Sequence, residues 1–343
     1  MQSKVSGIIQ IAAVYVGTVV GAGFATGREI VEFFTKYGFY GLLGICVAGL
    51  LFIYFGTKIM LVSVRINARS YQDFNAYLFG DRWALYINGL FFIMLFCVNA
   101  VMLSGAGSLF EEQLGMPKTV GIGIAALLAL LVLHRGTTGL FAINVLIVPA
   151  MILFSFIIFF HGLGRPGFTE ELFNVPEGIA VWRAFVSPVL YSAFNLALSQ
   201  AVLVPIAYEV KDAEIIKKGG ILGGVCLTAI LLTSHLSLIS LPDVLAFDIP
   251  TAELMKGLSK PFYLIFVSVI FGEIFTSLVG NTYGIERQLH RYIPLSSTVL
   301  VFFLLAGAYF ISLIPYRTLL SALYPLFGYI GVVFLFLLVK ARR

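Results

Sequence analysis

The stretch that decides the fold is Ile11-Ala-Ala-Val-Tyr-Val-Gly-Thr-Val-Val-Gly-Ala-Gly-Phe-Ala-Thr-Gly-Arg-Glu-Ile30, an apolar segment with four glycines in eleven positions. Glycine is the least favourable ordinary residue in a helix interior, so this cluster predicts an interrupted helix. An interruption leaves carbonyls without partners at the end of the first half and amides without partners at the start of the second. The first end attracts cations and the second attracts anions.

The same glycines have a second interpretation. Gly17 and Gly21 are four residues apart, as are Gly23 and Gly27, and such spacing is typical of small-residue motifs that let membrane helices pack closely. A dinucleotide-binding loop is excluded, because the spacing differs and no strand or βαβ pattern surrounds the glycines. The broken helix and the packing motif both remain open from the sequence.

The rest of the chain is also strongly apolar. Its 343 residues are 60% hydrophobic and only 11% charged, which is far from the composition of a soluble domain. Segments long enough to cross a hydrocarbon core, about 20 residues each, recur along the whole length. Because lipid offers the backbone no hydrogen-bond partner, these segments must be helices, and they lack the alternation of an outer-membrane barrel. The sequence therefore predicts an all-α membrane protein.

The hydropathy pattern predicts ten transmembrane helices. They cover residues 6–36, 39–62, 84–110, 118–134, 137–162, 180–208, 214–240, 261–286, 295–314 and 317–339. Helices two to four and seven to nine share an offset of about 177 residues, and an odd number of helices per copy makes such a repeat inverted. We expect one membrane domain of two five-helix halves, 1–162 and 179–343, joined by an external linker at 163–178.

The basic residues predict the orientation. With the N-terminus in the cytoplasm, 14 of the 22 lysines and arginines lie inside, so the positive-inside rule favours two cytoplasmic termini. The net charge of +5 belongs to these loops and does not indicate a nucleic-acid partner. Three cysteines within spans give no disulfide framework and no metal-ligand spacing.

The motif Gly17-Thr-Val-Val-Gly-Ala-Gly-Phe24 resembles the first helix of LeuT-fold transporters of the APC superfamily. These are sodium- or proton-coupled carriers of amino acids, amines and betaines, built as a five-plus-five inverted repeat with helices one and six broken. Within this superfamily the chain is most similar to the small bacterial YkvI-like membrane proteins. The resemblance implies a multi-pass protein of the bacterial inner membrane.

The resemblance also implies a cation site. Carried over by motif, the sodium ligands of helix one fall on the carbonyls of Gly17 and Val20. Those of helix eight fall on the carbonyl of Glu273 and the hydroxyls of Thr276 and Ser277. Five oxygens suit a hard cation such as sodium (Na+). The alternative is that the two hydroxyls bond back to carbonyls of their own helix.

Two features bear on the coupling ion. Proton-coupled relatives often place a lysine in helix five, but 137–162 contains no lysine or arginine, which favours sodium. Against this, Glu273 is a carboxyl deep in helix eight, where charge is expensive and usually functional. It would carry a proton (H+), bind a cationic substrate group, pair with Arg28 or Arg183, or be protonated and hydrogen-bonded.

The LeuT fold implies a substrate site between helices one and six, with helices three and eight beside it. The freed amides of helix one suit a carboxylate, and the break in helix six is predicted at 192–195, although no glycine lies there. The predicted substrate residues are Gly21, Ala22, Gly23, Asn99, Tyr191, Phe194 and Asn195. Packing between helices is an equally valid interpretation of the aromatic and amide side chains in this set.

At the outer end of helix one, Arg28, Glu29 and Glu32 extend towards the external vestibule. Two roles are open for them. They would form a gate or a substrate funnel, or they would be solvated charges at a helix end.

The leading functional prediction is a sodium-coupled symporter of an amino acid or a related small zwitterion or amine, working by alternating access. A proton-coupled carrier that uses Glu273 is the alternative, and an ion channel or a membrane-embedded enzyme ranks lower. Four scattered histidines form no catalytic grouping, and no nucleotide-binding loop is present. We expect a small-molecule substrate and a lipid bilayer as partners, no cofactor beyond the coupling ion, and no obligatory protein partner.

Overall fold

The computed structural model of the protein describes residues 4–134, 138–163, 168–176, 178, 180–290 and 293–341. Within these residues the backbone is helical almost throughout and contains no strand. Part of the predicted external linker, including 164–167 and 177, lies outside the described residues. So do residues 1–3 of the first predicted half and 342–343 of the second.

The predicted spans correspond to helices or to runs of short helices. The first part of the chain contains α1 (Lys4–Val19), α2 (Ala22–Ala25), α3 (Arg28–Phe33), α4 (Phe39–Leu51), α5 (Thr57–Arg65), α6 (Tyr71–Phe79), α7 (Asp81–Leu114), α8 (Lys118–His134), α9 (Thr138–Leu163) and α10 (Phe168–Phe173). The second part contains α11 (Val181–Val210), α12 (Ala213–Leu238), α13 (Pro250–Met255), α14 (Lys260–Leu289), α15 (Ser297–Ser312) and α16 (Tyr316–Lys340).

Six helical runs of the described chain are long and apolar enough to cross a membrane. They are Phe39–Arg65, Asp81–Leu114, Val181–Val210, Ala213–Leu238, Lys260–Leu289 and Tyr316–Lys340. The first of these runs is continuous because a π-helical turn, Phe52–Gly56, joins α4 to α5. The apolar helices α1, α8 and α15 are shorter. The chain is thus a multi-pass helical membrane protein.

The interruption predicted in the first span is confirmed. It is divided among α1, α2 and α3, with one break at Val20 and Gly21 and a second at Thr26 and Gly27. At the second break Gly27 has φ 77°, a left-handed conformation that strains any residue with a Cβ. The chain changes direction there before α3 begins.

The predicted break in the sixth span is wrong. Helix α11 runs without interruption through 192–195. The side chains of Asn195 and Ser199 bond back to the carbonyls of Tyr191 and Asn195, at 3.0 and 2.6 Å. Such bonds leave the backbone ladder intact, and no glycine lies in α11 to make an interruption inexpensive.

The packing places the first break in the centre of the molecule. Helix α1 packs against α12 and α11, α2 contacts α14, and α11 lies along α16. Two connections between the long helices are themselves partly helical. One contains α6, which begins with a capping box formed by Ser70 and Asp73, and the other contains α13, which begins at Pro250.

Candidate functional site

The break between α1 and α2 exposes backbone groups in the protein interior. The last hydrogen bond of the first half joins Val20 N to Val16 O at 2.8 Å, and the first bond of the second half joins Ala25 N to Gly21 O at 2.9 Å. Among the described residues, no backbone bond reaches the carbonyls of 17–20 or comes from the amides of 21–24. The break therefore presents free acceptors on one side and free donors on the other.

Helix α14 brings a hydroxyl to this break. A Cβ built on Gly21 would lie 3.5 Å from Ser277 Oγ, so Ser277 faces the first residue of the second half. Glu273 lies one turn before Ser277 on the same helix, Thr276 is the residue directly before it, and both are buried. The structure thus brings Gly21 of the broken helix next to Ser277 of α14, although the two residues are more than 250 positions apart in the chain.

The two hydroxyls of α14 behave differently. Thr276 Oγ1 donates to the carbonyl of Glu273 at 3.2 Å, which is the bond back to its own helix that the sequence left open. For Ser277 no such bond occurs in the described chain, and its side chain is only half-buried. Ser277 is therefore the more available of the two oxygens. Oε1 of Glu273 is buried without a hydrogen-bond partner.

The polar residues predicted to line the substrate site have mixed environments. Asn99 Nδ2 donates to Thr282 Oγ1 at 3.1 Å, which bridges α7 and α14, while Asn99 Oδ1 is buried without a partner. The amide of Asn195 is engaged within its own helix. Asn99 therefore keeps one free acceptor towards the interior, whereas Asn195 contributes to the structure of α11.

The two predicted aromatic residues of α11 also differ. Phe194 packs against Tyr324 and Phe327 of α16, with ring centroids 4.4 and 6.1 Å apart, so it joins two helices. Tyr191 lies among aromatic rings, with Phe33 and Phe34 at 5.3 and 5.0 Å between centroids. Its hydroxyl is buried without a hydrogen-bond partner. Tyr191 is the aromatic residue with an unused polar group.

Glu29 is the residue that the sequence interpretation misplaced. It is neither a solvated charge nor an exposed funnel residue, because it is only 6% exposed. A Cβ on Gly23 would overlap its carboxylate, so the side chain lies directly against the start of α2. Tyr191 lies near the same helix, because its ring packs against Phe33, one turn after Glu29. The signal in the sequence was Gly27, whose turn folds α3 back towards α2.

The neighbouring charges of α3 are paired elsewhere. Arg28 NH1 donates to the carbonyls of Leu245 and Phe247 at 3.1 and 3.0 Å, and NH2 lies 3.5 Å from Glu32. Glu32 also forms an ion pair with Lys36. Arg28 thereby fastens α3 to the segment that precedes α13.

The same segment is held from α7 and α13. Glu112 accepts from the amides of Asp248 and Ile249, at 2.8 and 3.0 Å. Thr251 Oγ1 donates to the carbonyl of Ala25 at 2.7 Å, at the end of α2. These bonds hold residues 245–251 across one end of the region that contains the broken helix.

Comparison with known proteins agrees with this architecture. The chain is 45% identical over 337 residues to the membrane protein YkvI of Bacillus subtilis, and the match covers 98% of this chain and 96% of YkvI. The chain belongs to the YkvI family. A second Bacillus subtilis protein, YyaD, is 23% identical over 322 residues, which cover 92% of this chain and 91% of YyaD. A scan of protein-family models finds no match to this chain.

Solved structures show which fold this YkvI-family protein has. Mhp1, in an inward-facing conformation, superposes with a TM-score of 0.65 at 13% identity, over 94% of this chain and 73% of Mhp1. A manganese transporter of Eremococcus coleocola gives a TM-score of 0.61 at 13% identity, over 98% of this chain and 79% of the transporter. Both are LeuT-fold transporters, so the YkvI-family chain has the LeuT fold.

Proposed function

We propose that the protein is a secondary active transporter that couples the movement of a small solute to sodium. The observation that carries this proposal is the break at Gly21, where the carbonyls of 17–20 have no backbone partner and Ser277 Oγ lies 3.5 Å from the Cβ position of Gly21. A dehydrated sodium ion requires several oxygen ligands, and backbone carbonyls together with hydroxyls meet that requirement without adding charge. The proposed ligands are the carbonyls of Gly17, Val20 and Glu273 with the hydroxyls of Thr276 and Ser277.

The proposal includes ten membrane crossings in two inverted halves, with both termini in the cytoplasm. The transported solute would be an amino acid, a related zwitterion or an amine. Two observations support this arrangement. Short helices α1, α2 and α3 together form the first predicted crossing, and the fold is shared with Mhp1, a transporter of the nucleobase-cation-symport-1 family.

Alternating access follows from the same geometry. Sodium bound between α1 and α14 would hold the broken helix against α14, while its release would free α1 to move with α12. The substrate would then be exposed first to one side of the membrane and then to the other. Binding of sodium and of substrate would each favour the same state, which makes their affinities reciprocal.

The test is the stability of the purified protein in sodium and potassium chloride at equal ionic strength. We expect selective stabilisation by sodium, with the apparent sodium affinity lowered at least about tenfold by Ser277→Ala. Ser268→Ala is the matched control, because Ser268 lies on the same helix, is exposed and bonds back to Leu264. Equal stability in both salts, or equal effects of the two variants, would contradict the sodium site.

A proton-coupled carrier is the second candidate, and the unpartnered Oε1 of Glu273 favours it. A buried carboxyl without a partner is stable chiefly in its protonated form. If protons are the coupling ion, stability and transport depend on pH and not on sodium. Glu273→Gln would then abolish the pH dependence, whereas in the sodium-coupled protein the sodium response persists in this variant.

A further inference from the structure

Glu29 is a buried carboxylate that lacks a compensating charge. It is 6% exposed, and no hydrogen bond or ion pair to it occurs in the part of the chain that the structure describes. The nearest cations along the helix, Arg28 and Lys36, are engaged with Glu32 and with loop carbonyls. An ionised carboxylate in this position requires a cation from outside the chain.

The surroundings of Glu29 suit an organic cation. The carboxylate lies against Gly23, and the ring of Tyr191 packs against Phe33, one turn after Glu29 on the same helix, at 5.3 Å between centroids. Tyr316 shares a hydrogen bond with Thr26, at 3.0 Å, while the hydroxyl of Tyr191 is buried and has no partner. Aromatic faces attract ammonium groups, and a carboxylate and a free phenol oxygen together accept hydrogen bonds from one.

Other occupants fit these groups less well. A dehydrated divalent metal ion needs several hard ligands, and the described residues contain no group of three or more His, Cys, Asp or Glu side chains. An anionic substrate group at the amides of Gly21 to Gly23 would lie beside the Glu29 carboxylate and be repelled by it. A proton alone would also neutralise Glu29, and the Glu29→Gln comparison below separates that case, because amine affinity would then be unchanged.

We propose that Glu29 is the anionic anchor of the substrate site and that the solute binds to it through a protonated amine or quaternary ammonium group, with Tyr191 as a second contact. This inference rests on the proposed transport function and narrows its substrate class to organic monocations. The sequence predicts a substrate carboxylate at the start of α2. In this proposal the carboxylate there belongs to the protein, and the substrate supplies the positive charge.

The test uses two matched series of probes on the purified full-length protein in sodium chloride. One series is ethylamine, alanine and propionate, and the other is 2-phenylethylamine, phenylalanine and 3-phenylpropionate. Each series keeps the carbon skeleton similar while the charged groups change, and the thermal unfolding midpoint reports binding. The probes are titrated to about 10 mM, where even weak sites are occupied.

We expect an amine to raise the midpoint while the carboxylate of the same series does not. Glu29→Gln should lower the apparent amine affinity at least about tenfold, because it removes the charge and keeps the shape. Tyr191→Phe, which removes only the unpartnered hydroxyl, should lower it severalfold. The matched control is Glu286→Gln, a buried glutamate farther along α14, which should retain the wild-type affinity.

The outcomes separate this inference from the function on which it rests. If sodium stabilises the protein through Ser277 but no amine binds, or if Glu29→Gln binds amines as the wild type does, the inference is wrong and the transport function stands. Stabilisation by the carboxylates alone would also overturn it. If Glu29→Gln does not fold, Glu29→Asp and Tyr191→Phe provide the same comparison.

Discussion

A single methyl group added at Gly23 tests the contact between α2 and Glu29. A Cβ at this position would lie 2.5 Å from Cγ of Glu29 and would overlap the carboxyl carbon and one carboxylate oxygen. Ordinary carbon contacts are about 3.5 to 4.0 Å, so the Glu29 side chain must move by about 1 Å or more. Overpacking of this kind costs about 1 to 3 kcal/mol.

The size of the effect depends on which residue occupies position 29. In the wild-type background, alanine also stabilises the helix by about 0.5 to 1 kcal/mol relative to glycine, which offsets part of the cost of the overlap. The net expectation is a loss of about 0 to 2.5 kcal/mol of unfolding free energy. In a Glu29→Ala background the overlap is absent, so Gly23→Ala should be neutral or slightly stabilising. The coupling energy between the two positions is then about 1 to 3 kcal/mol.

The assay is reversible unfolding in mixed detergent and dodecyl sulfate micelles for the four proteins of the double-mutant cycle. Glu29→Ala alone should not destabilise the protein, since it removes a buried carboxyl without a partner. Gly280→Ala is the matched control, because a Cβ at that glycine of α14 meets nothing within 4 Å. If Gly23→Ala has the same effect with and without Glu29, the carboxylate does not lie against α2, and the site described above is wrong.

Two further predictions concern the segment that closes one end of the site. Glu112→Gln removes one of the two carboxylate oxygens that accept from the amides of Asp248 and Ile249. Hydrogen exchange at these two amides should therefore accelerate by about tenfold or more. The same change at the exposed neighbour Glu111 should leave their exchange unaltered. Thr251→Val keeps the shape but removes the donor to the carbonyl of Ala25, which should lower the unfolding free energy by about 1 kcal/mol in the micelle assay. An unchanged exchange rate or an unchanged free energy would show that these bonds do not hold the segment.

The helical architecture was predictable because lipid imposes a strong local rule. In a hydrocarbon core every backbone group must find a partner within its own segment, so apolar runs of sufficient length become helices. The interruption in the first span was predictable for a related reason. Four glycines between Gly17 and Gly27 weaken the helix locally, whatever the surroundings.

The sixth span shows where this local reasoning stops. A break at 192–195 was expected from the family, but the residues of α11 contain no glycine, and the side chain of Asn195 bonds within the helix. The local sequence, and not the resemblance, was the better guide at this position. Phe194 likewise packs against α16, a contact that no spacing in the chain predicts.

The sequence by itself determined that this protein is a bundle of membrane helices with a broken first segment, because both properties follow from backbone hydrogen bonding in lipid. Tertiary structure alone decided what the break faces. Ser277 reaches it from a helix far along the chain, and the left-handed turn at Gly27 brings Glu29 back against Gly23. Whether a carboxylate is solvated or buried depends on these packed neighbours, and that information is not present in its own stretch of sequence.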